Sequence, residues 1–365
     1  MDFVNLAEME AAALAALPPM ARDYYAGGAR DELTLRRNRT AWDAVSLHPR
    51  MLVDVSRRDP ATTILGAPCA MPILIAPTAF HCLAHPEGER ATARAAGEAG
   101  VIMCLSTLAT TAVEAVAEAA TGPLWFQLYV YRDRGLTAEL VDRAERSGCR
   151  ALVLTVDAAE IGTRERDARN RFALPPGLTV ANVAGTGREG VPAAGGESGL
   201  SRYVREQLDP SLTWADVEWL RARTKLPVLV KGILRADDAL RAVDVGVDGI
   251  VVSNHGGRQL DTAIATAEVL RPIADAIAGR AELLVDGGIR RGTDVIKALA
   301  FGAKAVLVGR PVLWGLAVGG QAGVAHALNL LRAELVEAMA LCGCPDVTHC
   351  TRDLVELNAI PTGLR

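Results

Sequence analysis

The 365-residue sequence predicts an α/β protein in which eight parallel strands close into a barrel. Three observations lead to this prediction. Eight short apolar runs recur from residue 71 onward, helix-like stretches separate most of them, and polar residues follow where the runs end. Strands that alternate with helices favour a parallel sheet, and eight such repeats are typical of a TIM (β/α)8 barrel.

The predicted strands are short runs rich in β-branched residues, which suit strands that are buried on both faces. These runs are Pro72–Ala76, Val101–Leu105, Leu124–Tyr129, Ala151–Val156, Val228–Val230, Gly249–Val252, Leu283–Val285 and Ala305–Val308. The predicted helices between them include Glu87–Ala99, Thr137–Ser147, Trp214–Arg223, Asp237–Val245, Ala265–Ala278 and Thr293–Phe301. Loops of similar length also occur in open sheets. The pattern is therefore stronger evidence for the α/β class than for a closed barrel over an open sheet.

The rest of the chain is expected to surround this barrel. Residues rich in Ala, Glu and Leu predict an N-terminal helix that stops at Pro18-Pro19, and the segment Asp23–Gly28 should break the helical region at its paired glycines. A polar, glycine-rich interval after the fourth strand has the composition of a mobile surface loop. The expected parts of a single domain (1–365) are an N-terminal helical segment (1–70), the barrel (71–320), a mobile insert (158–212) and a C-terminal helix with a tail (321–365).

Composition and charge argue against nucleic-acid and membrane partners. A formal net charge of -4, a pI near 5.9 and 4% aromatic residues leave neither a basic surface nor a stacking platform for nucleic acid. The sequence shows no basic-then-apolar leader and no apolar run of membrane-spanning length. We therefore expect a cytoplasmic protein.

The cysteines fit the same location. They number seven, are scattered, and suit reduced thiols in a cytosol better than a disulfide framework. Cys342, Cys344, His349 and Cys350 lie close together in sequence, but they lack the spacing of a four-ligand metal site. We expect no bound metal.

One stretch, Ser253–Asp261, combines two side chains that suit the chemistry of a small acid. It follows the apolar run Gly249–Val252, so His255 and Arg258 lie just past a strand end beside paired glycines. An imidazole can accept a proton near neutral pH, and a guanidinium can hold a carboxylate through two hydrogen bonds. A histidine after a strand is also commonly a structural polar residue, but the pair suggests a proton-abstracting site.

Polar residues or glycines follow every predicted strand, at the barrel end where active sites are built. In strand order they are Thr78, Ser106, Gln127 with Tyr129, Asp157, Lys231, His255, Asp286-Gly287-Gly288 and Gly309-Arg310. One polar strand end means little, but eight in succession predict a functional site at this end.

The loops after the last two strands favour a phosphate site. Asp286–Gly292 and Gly309–Pro311 are rich in glycine and arginine, and barrels commonly bind phosphate at this position through backbone N–H groups. Each loop alone could be an ordinary turn between strand and helix. Because no Gly-x-Gly-x-x-Gly follows the first strand, a mononucleotide is favoured over a dinucleotide.

These motifs, in this order, resemble the FMN-dependent 2-hydroxy-acid oxidases and dehydrogenases, a family that includes glycolate oxidase, lactate oxidase and mandelate dehydrogenase. Besides Ser253–Asp261, the resemblance is carried by Ala76-Pro77-Thr78-Ala79, His85-Pro86-Glu87-Gly88-Glu89, Thr155-Val156-Asp157 and Val230-Lys231-Gly232. It implies FMN as cofactor, oxidation of an (S)-2-hydroxy acid to the 2-oxo acid, and a homo-oligomer, specifically a homotetramer. The absence of an added cytochrome domain or membrane insert favours O2 as the acceptor, with hydrogen peroxide as product.

The resemblance also implies a role for individual residues. The implied catalytic residues are His255 as the base, Asp157 as the carboxylate that stabilises its protonated form, Tyr129 beside the substrate hydroxyl, and Lys231. The substrate carboxylate would be held by Tyr24, Arg164 and Arg258, although chemistry alone would place Tyr24 in the core. The residues implied to line the flavin are Thr78, Ala79, Ser106, Gln127, Thr155, Lys231 and Ser253, with Asp286, Gly288, Arg290, Gly309 and Arg310 at its ribityl phosphate end.

Physical chemistry agrees with these roles. A lysine beside the flavin would stabilise the negative charge that arrives on reduction. A carboxylate next to a histidine helps the ring to accept and hold a proton. Whether the base takes the hydroxyl proton during hydride transfer or the α-proton to give a carbanion stays open, because both routes need the same residues.

Leu108 departs from the glycolate oxidase pattern, in which a Trp occupies this position. A smaller side chain should widen the substrate pocket. We therefore expect a bulkier acid, either aromatic like mandelate or aliphatic of medium chain length.

Three alternatives remain at the level of sequence. The first is a dehydrogenase that passes electrons to a quinone or a cytochrome. The second is a flavin-free barrel that binds a phosphosugar, which would explain Lys231 and the phosphate loops but not His255, Arg258 and Asp157. The third is a non-catalytic binding or scaffold barrel, which the intact polar strand ends argue against.

Overall fold

The structure is a computed structural model that describes residues 1–193 and 195–358. One residue of the predicted insert and the last residues of the predicted tail (359–365) therefore lie outside the described residues. The helices are α1 (Leu6–Ala16), α2 (Pro19–Ala26), α3 (Leu33–Asp43), α4 (Gly88–Glu98), α5 (Val113–Ala119), α6 (Arg134–Arg146), α7 (Glu165–Arg169), α8 (Gly199–Gln207), α9 (Trp214–Arg223), α10 (Ala236–Asp244), α11 (Thr266–Ile277), α12 (Gly292–Ala300) and α13 (Arg310–Cys342).

The strands confirm the predicted barrel. They are β1 (Val45–Leu47), β2 (Thr62–Ile64), β3 (Ala67–Cys69), β4 (Ile73–Ile75), β5 (Met103–Ser106), β6 (Leu124–Leu128), β7 (Leu152–Thr155), β8 (Val228–Ile233), β9 (Gly249–Val252), β10 (Glu282–Val285), β11 (Ala305–Val308) and β12 (Val355–Leu357). Strands β4 to β11 pair in parallel in sequence order, and β11 returns to β4 to close the barrel. Strands β2 and β3 form a hairpin, and β1 pairs antiparallel with β12, which ties the two ends of the chain together.

Several boundaries differ from the sequence prediction. Strand β8 continues past Lys231 to Ile233, because a bulge at Gly232 lets the pairing with β9 resume. Helix α5 lies between β5 and β6, where no helix was predicted. Helix α13 begins at Arg310 rather than near residue 322, and the non-helical backbone of Gly319 and Gly320 breaks it.

The N-terminal segment forms three helices, and the expected break at Asp23–Gly28 is partly wrong. Pro19 occupies the first turn of α2, where its missing N–H costs nothing. The helix then runs through Tyr24 and Tyr25 and ends at Ala26, so both tyrosines are buried helix residues rather than turn residues. The glycine pair ends α2 instead of interrupting it.

The insert after β7 is more structured than its composition suggests. It contains α7, α8 and a short 3-10 turn at Ala181–Val183. Phe172, Val183 and Val191 within it are buried in the main hydrophobic core. Its mobility and the single-domain assignment stay predictions.

Two absences can be stated for residues 1–193 and 195–358. None of the helices there combines the length and the apolar character needed to cross a bilayer. Nor do three or more His, Cys, Asp or Glu side chains in this part of the chain form a group that could hold a metal ion.

Candidate active site

The site is built on the inward face of the barrel strands. Side chains alternate between the two faces of a strand, so every second residue points into the barrel. The packed interior includes Cys104, Trp125, Val153, Leu229, Val251 and Leu284. Two residues further along the same strands stand Ser106, Gln127, Thr155, Lys231, Ser253 and Asp286, all of them buried. The inward-facing residues therefore form an apolar layer inside the barrel and a polar layer at its C-terminal end.

His255 lies in the loop after β9 with both ring nitrogens directed at polar partners. Its Nδ1 is 2.9 Å from Asp157 Oδ1, and its Nε2 is 3.4 Å from the Tyr129 hydroxyl. Because a carboxylate can only accept, Nδ1 carries the hydrogen and the bare Nε2 accepts the tyrosine hydroxyl hydrogen. Nε2 is therefore the atom that can take a proton from a substrate.

Burial and charge set the protonation of this pair. Burial lowers the pKa of the His255 imidazole below its ordinary value, although the Asp157 carboxylate acts in the opposite direction. Burial by itself would raise the pKa of Asp157, but His255 and Lys231 outweigh it and hold this pKa below its usual range. The pair is a neutral imidazole next to a carboxylate near neutral pH, which is the state that a general base requires.

Lys231 forms a fixed positive charge in the wall of the site. Its Nζ is 3.1 Å from Asp286 Oδ2 and donates to Ser253 Oγ at 2.9 Å. Burial alone would lower the pKa of this ammonium group, but Asp286 and Asp157 more than offset that and raise the pKa. Lys231 therefore stays charged, and it can stabilise negative charge that develops on a ligand.

Two guanidinium groups, one buried (Arg164) and one half-buried (Arg258), approach the same region from different loops. Arg258 donates to the backbone carbonyls of Tyr24 at 2.6 Å and Gly27 at 2.9 Å, and its Cζ lies 4.9 Å from the centre of the Tyr24 ring. Arg164 lies 3.8 Å from Asp167 Oδ2. Burial and the nearby Arg258 lower the pKa of Arg164 to about 10. An anion between the two guanidinium groups would relieve their repulsion.

These side chains face one cavity of about 1100 Å³, a volume that includes its open mouth. The predicted residues that line it are Tyr24, Thr78, Ala79, Ser106, Leu108, Tyr129, Arg164, Lys231, His255, Arg258, Asp286, Gly288, Arg290, Gly309 and Arg310. Four predicted residues do not line it. Asp157 lies behind His255, Ser253 behind Lys231, Gln127 behind Ser106, and Thr155 is buried at the end of β7.

One part of the cavity lining is basic and rich in glycine. Gly309 stands so close to Thr78 that a Cβ there would lie 3.2 Å from its methyl group, and Gly288 has a φ of +87°, which favours glycine. Burial and Arg39 lower the pKa of Arg290 to about 10, and burial and Arg258 lower that of Arg310. Buried cations that repel one another are stabilised by an anion, so this end suits a phosphate.

The polar layer contains a hydrogen-bond donor and an acceptor that are unpaired within the described part of the chain. Gln127 Nε2 and Asp286 Oδ1 are buried and have no hydrogen-bond partner within the described part of the chain. Buried polar atoms are normally paired, so Asp286 Oδ1 calls for a donor group on a ligand in the cavity, and Gln127 Nε2, just behind the lining at Ser106, calls for an acceptor. The isoalloxazine ring and ribityl chain of FMN carry both, and its phosphate matches the basic end. The residues present fit FMN.

Sequence reasoning missed the apolar wall of the cavity. Leu200, Val204 and Leu208, from α8 and the residue after it, line the cavity together with Ile161. The spacing of four between the three α8-side residues is helical and could have revealed a buried face. The glycines and charges around them concealed it.

Fold and site together define an α/β barrel with a cavity that fits an anionic mononucleotide, next to a hydrogen-bonded histidine–aspartate pair and two guanidinium groups. The model of the FMN-dependent dehydrogenase family matches residues 13–357. The chain belongs to this family, and FMN is its cofactor, which confirms both sequence predictions.

Known proteins of this family are similar over nearly the whole chain. The L-lactate oxidase of Nostoc sp. is 58% identical over 97% of this chain and 98% of its own length. The glycolate oxidase of Spinacia oleracea is 51% identical over 96% of this chain and 95% of its own. A crystal structure of mandelate oxidase with (S)-4-hydroxymandelic acid superposes with a TM-score of 0.94 at 47% identity, covering 98% of this chain and all of that one.

Proposed function

We propose that the protein oxidises an (S)-2-hydroxy acid to the 2-oxo acid with bound FMN, and that O2 reoxidises the flavin to give hydrogen peroxide. The observation that carries this proposal is the convergence of the His255–Asp157 base and the Arg164–Arg258 pair on the cavity that fits FMN. The three relatives described above are all named as oxidases, of lactate, glycolate and mandelate. Family membership removes the flavin-free phosphosugar barrel and the scaffold from consideration.

The residues divide the work between binding and proton transfer. Arg258 and Arg164 hold the substrate carboxylate, and Tyr24 contacts it beside Arg258. These contacts give the α-carbon a fixed orientation. His255 Nε2 accepts the substrate proton, and Asp157 stabilises the imidazolium that forms. The Tyr129 hydroxyl lies beside His255 Nε2, and we expect it to contact the hydroxyl oxygen of the substrate. Burial and Asp157 raise the pKa of Tyr129, so the phenol stays protonated and able to donate.

FMN, when bound, accepts the two electrons that leave the substrate. Lys231 supplies a buried positive charge held by Asp286 and Ser253, which favours negative charge on a neighbouring ligand. A hydride route and a carbanion route both deliver the proton to His255, so this assignment of residues holds for either.

We propose a substrate with a bulky side chain, aromatic or of medium chain length. Leu108 is only 5% exposed and faces the same cavity as Leu200, Val204 and Ile161, which gives the acid's side chain an apolar surround. Specificity constants for glycolate, L-lactate, (S)-mandelate and 2-hydroxyoctanoate would test this. A higher value for glycolate than for mandelate and 2-hydroxyoctanoate would contradict the proposed class.

The central test is a visible absorption spectrum recorded before and after anaerobic addition of racemic mandelate, followed by admission of air. We expect flavin bands that bleach on addition of mandelate and recover in air. The recovery should release one molecule of hydrogen peroxide for each molecule of substrate oxidised. Bleaching without peroxide would identify a dehydrogenase that uses a quinone or cytochrome. Bands that persist with every acid tested would contradict the proposed reaction.

We also propose a cytoplasmic homotetramer. The seven cysteines are all unpaired, which agrees with a reducing compartment, and the tetramer rests on the family resemblance. Light scattering during size-exclusion chromatography should give about four times the 38.5 kDa chain mass. A mass of one chain at micromolar concentration would rule the tetramer out.

A further inference from the structure

The loop that carries His255 has an unusual backbone. His255, Gly256 and Gly257 adopt positive φ angles of 58°, 64° and 76° in succession. Glycine tolerates this region, but a histidine there is strained. Such a conformation persists only where the surroundings hold it, so the contacts that fix this loop bear directly on the position of the base.

Asn254 provides an internal brace for the loop. Its Oδ1 accepts the Gly257 N–H at 3.1 Å, and the Gly257 N–H also reaches the Asn254 carbonyl at 3.1 Å. Its Nδ2 donates to the carbonyl of Ile264 at 3.1 Å. The side chain of Asn254 therefore spans the three left-handed residues, and its own orientation decides whether the brace holds.

That orientation is set from outside the barrel by Asn38 of α3. Asn38 Nδ2 donates to Asn254 Oδ1 at 2.8 Å, and Asn254 Nδ2 donates to Asn38 Oδ1 at 2.7 Å. The two amides form a reciprocal pair whose residues are 2% and 5% exposed. Flipping one amide alone would oppose two donors and two acceptors. Flipping both would turn the Asn254 amide the wrong way round for the Gly257 N–H and the Ile264 carbonyl, so these contacts together with the pair admit one arrangement.

Two further residues of the N-terminal segment that contains Asn38 form hydrogen bonds to the loop. Ala29 N–H donates to the Gly257 carbonyl at 2.9 Å, and Thr34 N–H donates to Asp261 Oδ1 at 2.8 Å. These contacts join the segment to the loop at the Gly257 backbone and the Asp261 side chain, whereas Asn38 reaches the side chain that spans the left-handed residues.

We propose that Asn38 is a positioning residue for His255, acting through Asn254 to hold the strained loop so that the imidazole meets Asp157. This inference rests on the proposed role of His255 as the base. It assigns a function in the reaction to an N-terminal helix that contributes no atom to the base itself.

The test compares Asn38→Leu and Asn38→Asp with Thr40→Val, measuring the rate constant of anaerobic flavin reduction against pH. Leucine removes both hydrogen bonds, aspartate places a second acceptor against Asn254 Oδ1, and Thr40 bonds only within α3, to the Arg37 carbonyl. We expect a loss of about tenfold or more for leucine, a smaller loss for aspartate, and none for valine. FMN content should stay equal in all of them.

The pH profile distinguishes positioning from a general loss of structure. The charged or titratable groups that face His255 are Asp157, Lys231, Arg164 and Tyr129. If the imidazole moves away from Asp157, it loses the group that favours its protonation, so the acid limb of the profile should move to lower pH. A rate loss with an unmoved limb, or one that tracks FMN loss, would overturn the proposal.

Hydrogen exchange provides a second measurement that does not need a catalytic rate. In Asn38→Asp, a peptide that spans residues 253–258 should exchange faster, while one that spans β6 should match the unaltered protein. Equal exchange at 253–258 would overturn the proposal. Flavin that cannot be bleached in the unaltered protein would instead refute the proposed reaction and leave the loop contact intact.

Discussion

His255 and Asp157 act as a unit because each alters the proton affinity of the other. The imidazole is neutral because burial disfavours its charged form, while the carboxylate next to Nδ1 makes the charged form accessible when Nε2 receives a proton. Removing either member should therefore change both the rate and its dependence on pH.

Asp157→Asn should slow flavin reduction by about a hundredfold or more, because the imidazolium loses its partner. The sign of the pH effect follows from the structure. Asp157 favours protonation of His255, so its removal lowers the pKa of the imidazole further, and the acid limb of kcat/KM should move to lower pH. The measurement is stopped-flow reduction from pH 5 to 8. An acid limb at its original pH would show that another group titrates there.

Leu108 lines the cavity, and we propose that it limits the room available to the substrate side chain. Leu108→Trp should reduce kcat/KM for mandelate by about tenfold or more relative to glycolate, since overpacking a buried wall costs about 1–3 kcal/mol. Leu108→Ile, which conserves volume, is the matched control and should change the ratio by less than about threefold. Steady-state assays of peroxide release would measure both. An unchanged ratio in the tryptophan variant would place the side-chain pocket elsewhere.

At the scale of elements, the bulge in β8 is what brings Asp157 close to the base. Gly232 has a φ of +117°, and a Cβ there would lie 2.6 Å from Asp157 Cβ and 2.7 Å from its Cγ. Only glycine satisfies both the backbone angle and the contact. The bulge lets Lys231 point into the barrel while the chain beyond it leaves room for the neighbouring carboxylate.

Gly232→Ala should therefore displace Asp157 and lower the rate of flavin reduction by about tenfold or more. Gly148→Ala is the matched control, because Gly148 also has a positive φ, of +79°, but a Cβ there would meet no atom within 4 Å. Both changes should lower the melting temperature through backbone strain, while only the first should affect the rate. Equal rates in the two variants would show that Asp157 accommodates the methyl group.

At the scale of the whole molecule, the cofactor cavity lies where the barrel meets helices outside it. Arg310, at the start of α13, donates to the carbonyls of Tyr25 at 2.9 Å, Gly256 at 3.0 Å and Gly27 at 2.9 Å. Trp42 of α3 donates to the Gly287 carbonyl at 2.8 Å, and Lys297 of α12 donates to the Trp42 carbonyl at 2.8 Å. Segments from distant parts of the chain thus meet at the basic end of the cavity. An anion bound there should stabilise the fold.

FMN should raise the melting temperature of the full-length apoprotein more than riboflavin does, because only FMN brings a phosphate to Arg290 and Arg310. Differential scanning calorimetry at matched ligand concentration would measure the difference. Arg290→Gln should reduce that difference, whereas Arg291→Gln, on an exposed side chain paired with Asp43, should leave it unchanged. Equal stabilisation by riboflavin in the unaltered protein would move the phosphate site away from this end.

The sequence by itself determined the barrel, the family and half of the residues that line the cavity. Apolar runs and the polar residues after them are local patterns, and strands of a parallel barrel necessarily bring their C-terminal ends together. For that reason His255, Lys231 and Asp286 could be placed in one site without knowledge of any contact. The cofactor followed from motifs that are themselves contiguous in the chain.

Only the tertiary structure decided what lies between distant segments. The Asn38–Asn254 pair joins residues separated by 216 positions. Leu200 and Val204, in an apparently polar insert, line the cavity, and the bulge at Gly232 is defined by pairing with β9. No local period encodes such contacts, because each depends on how separate elements pack against one another. A candidate base can thus be proposed from its motif, but the contacts around it are visible only in the fold.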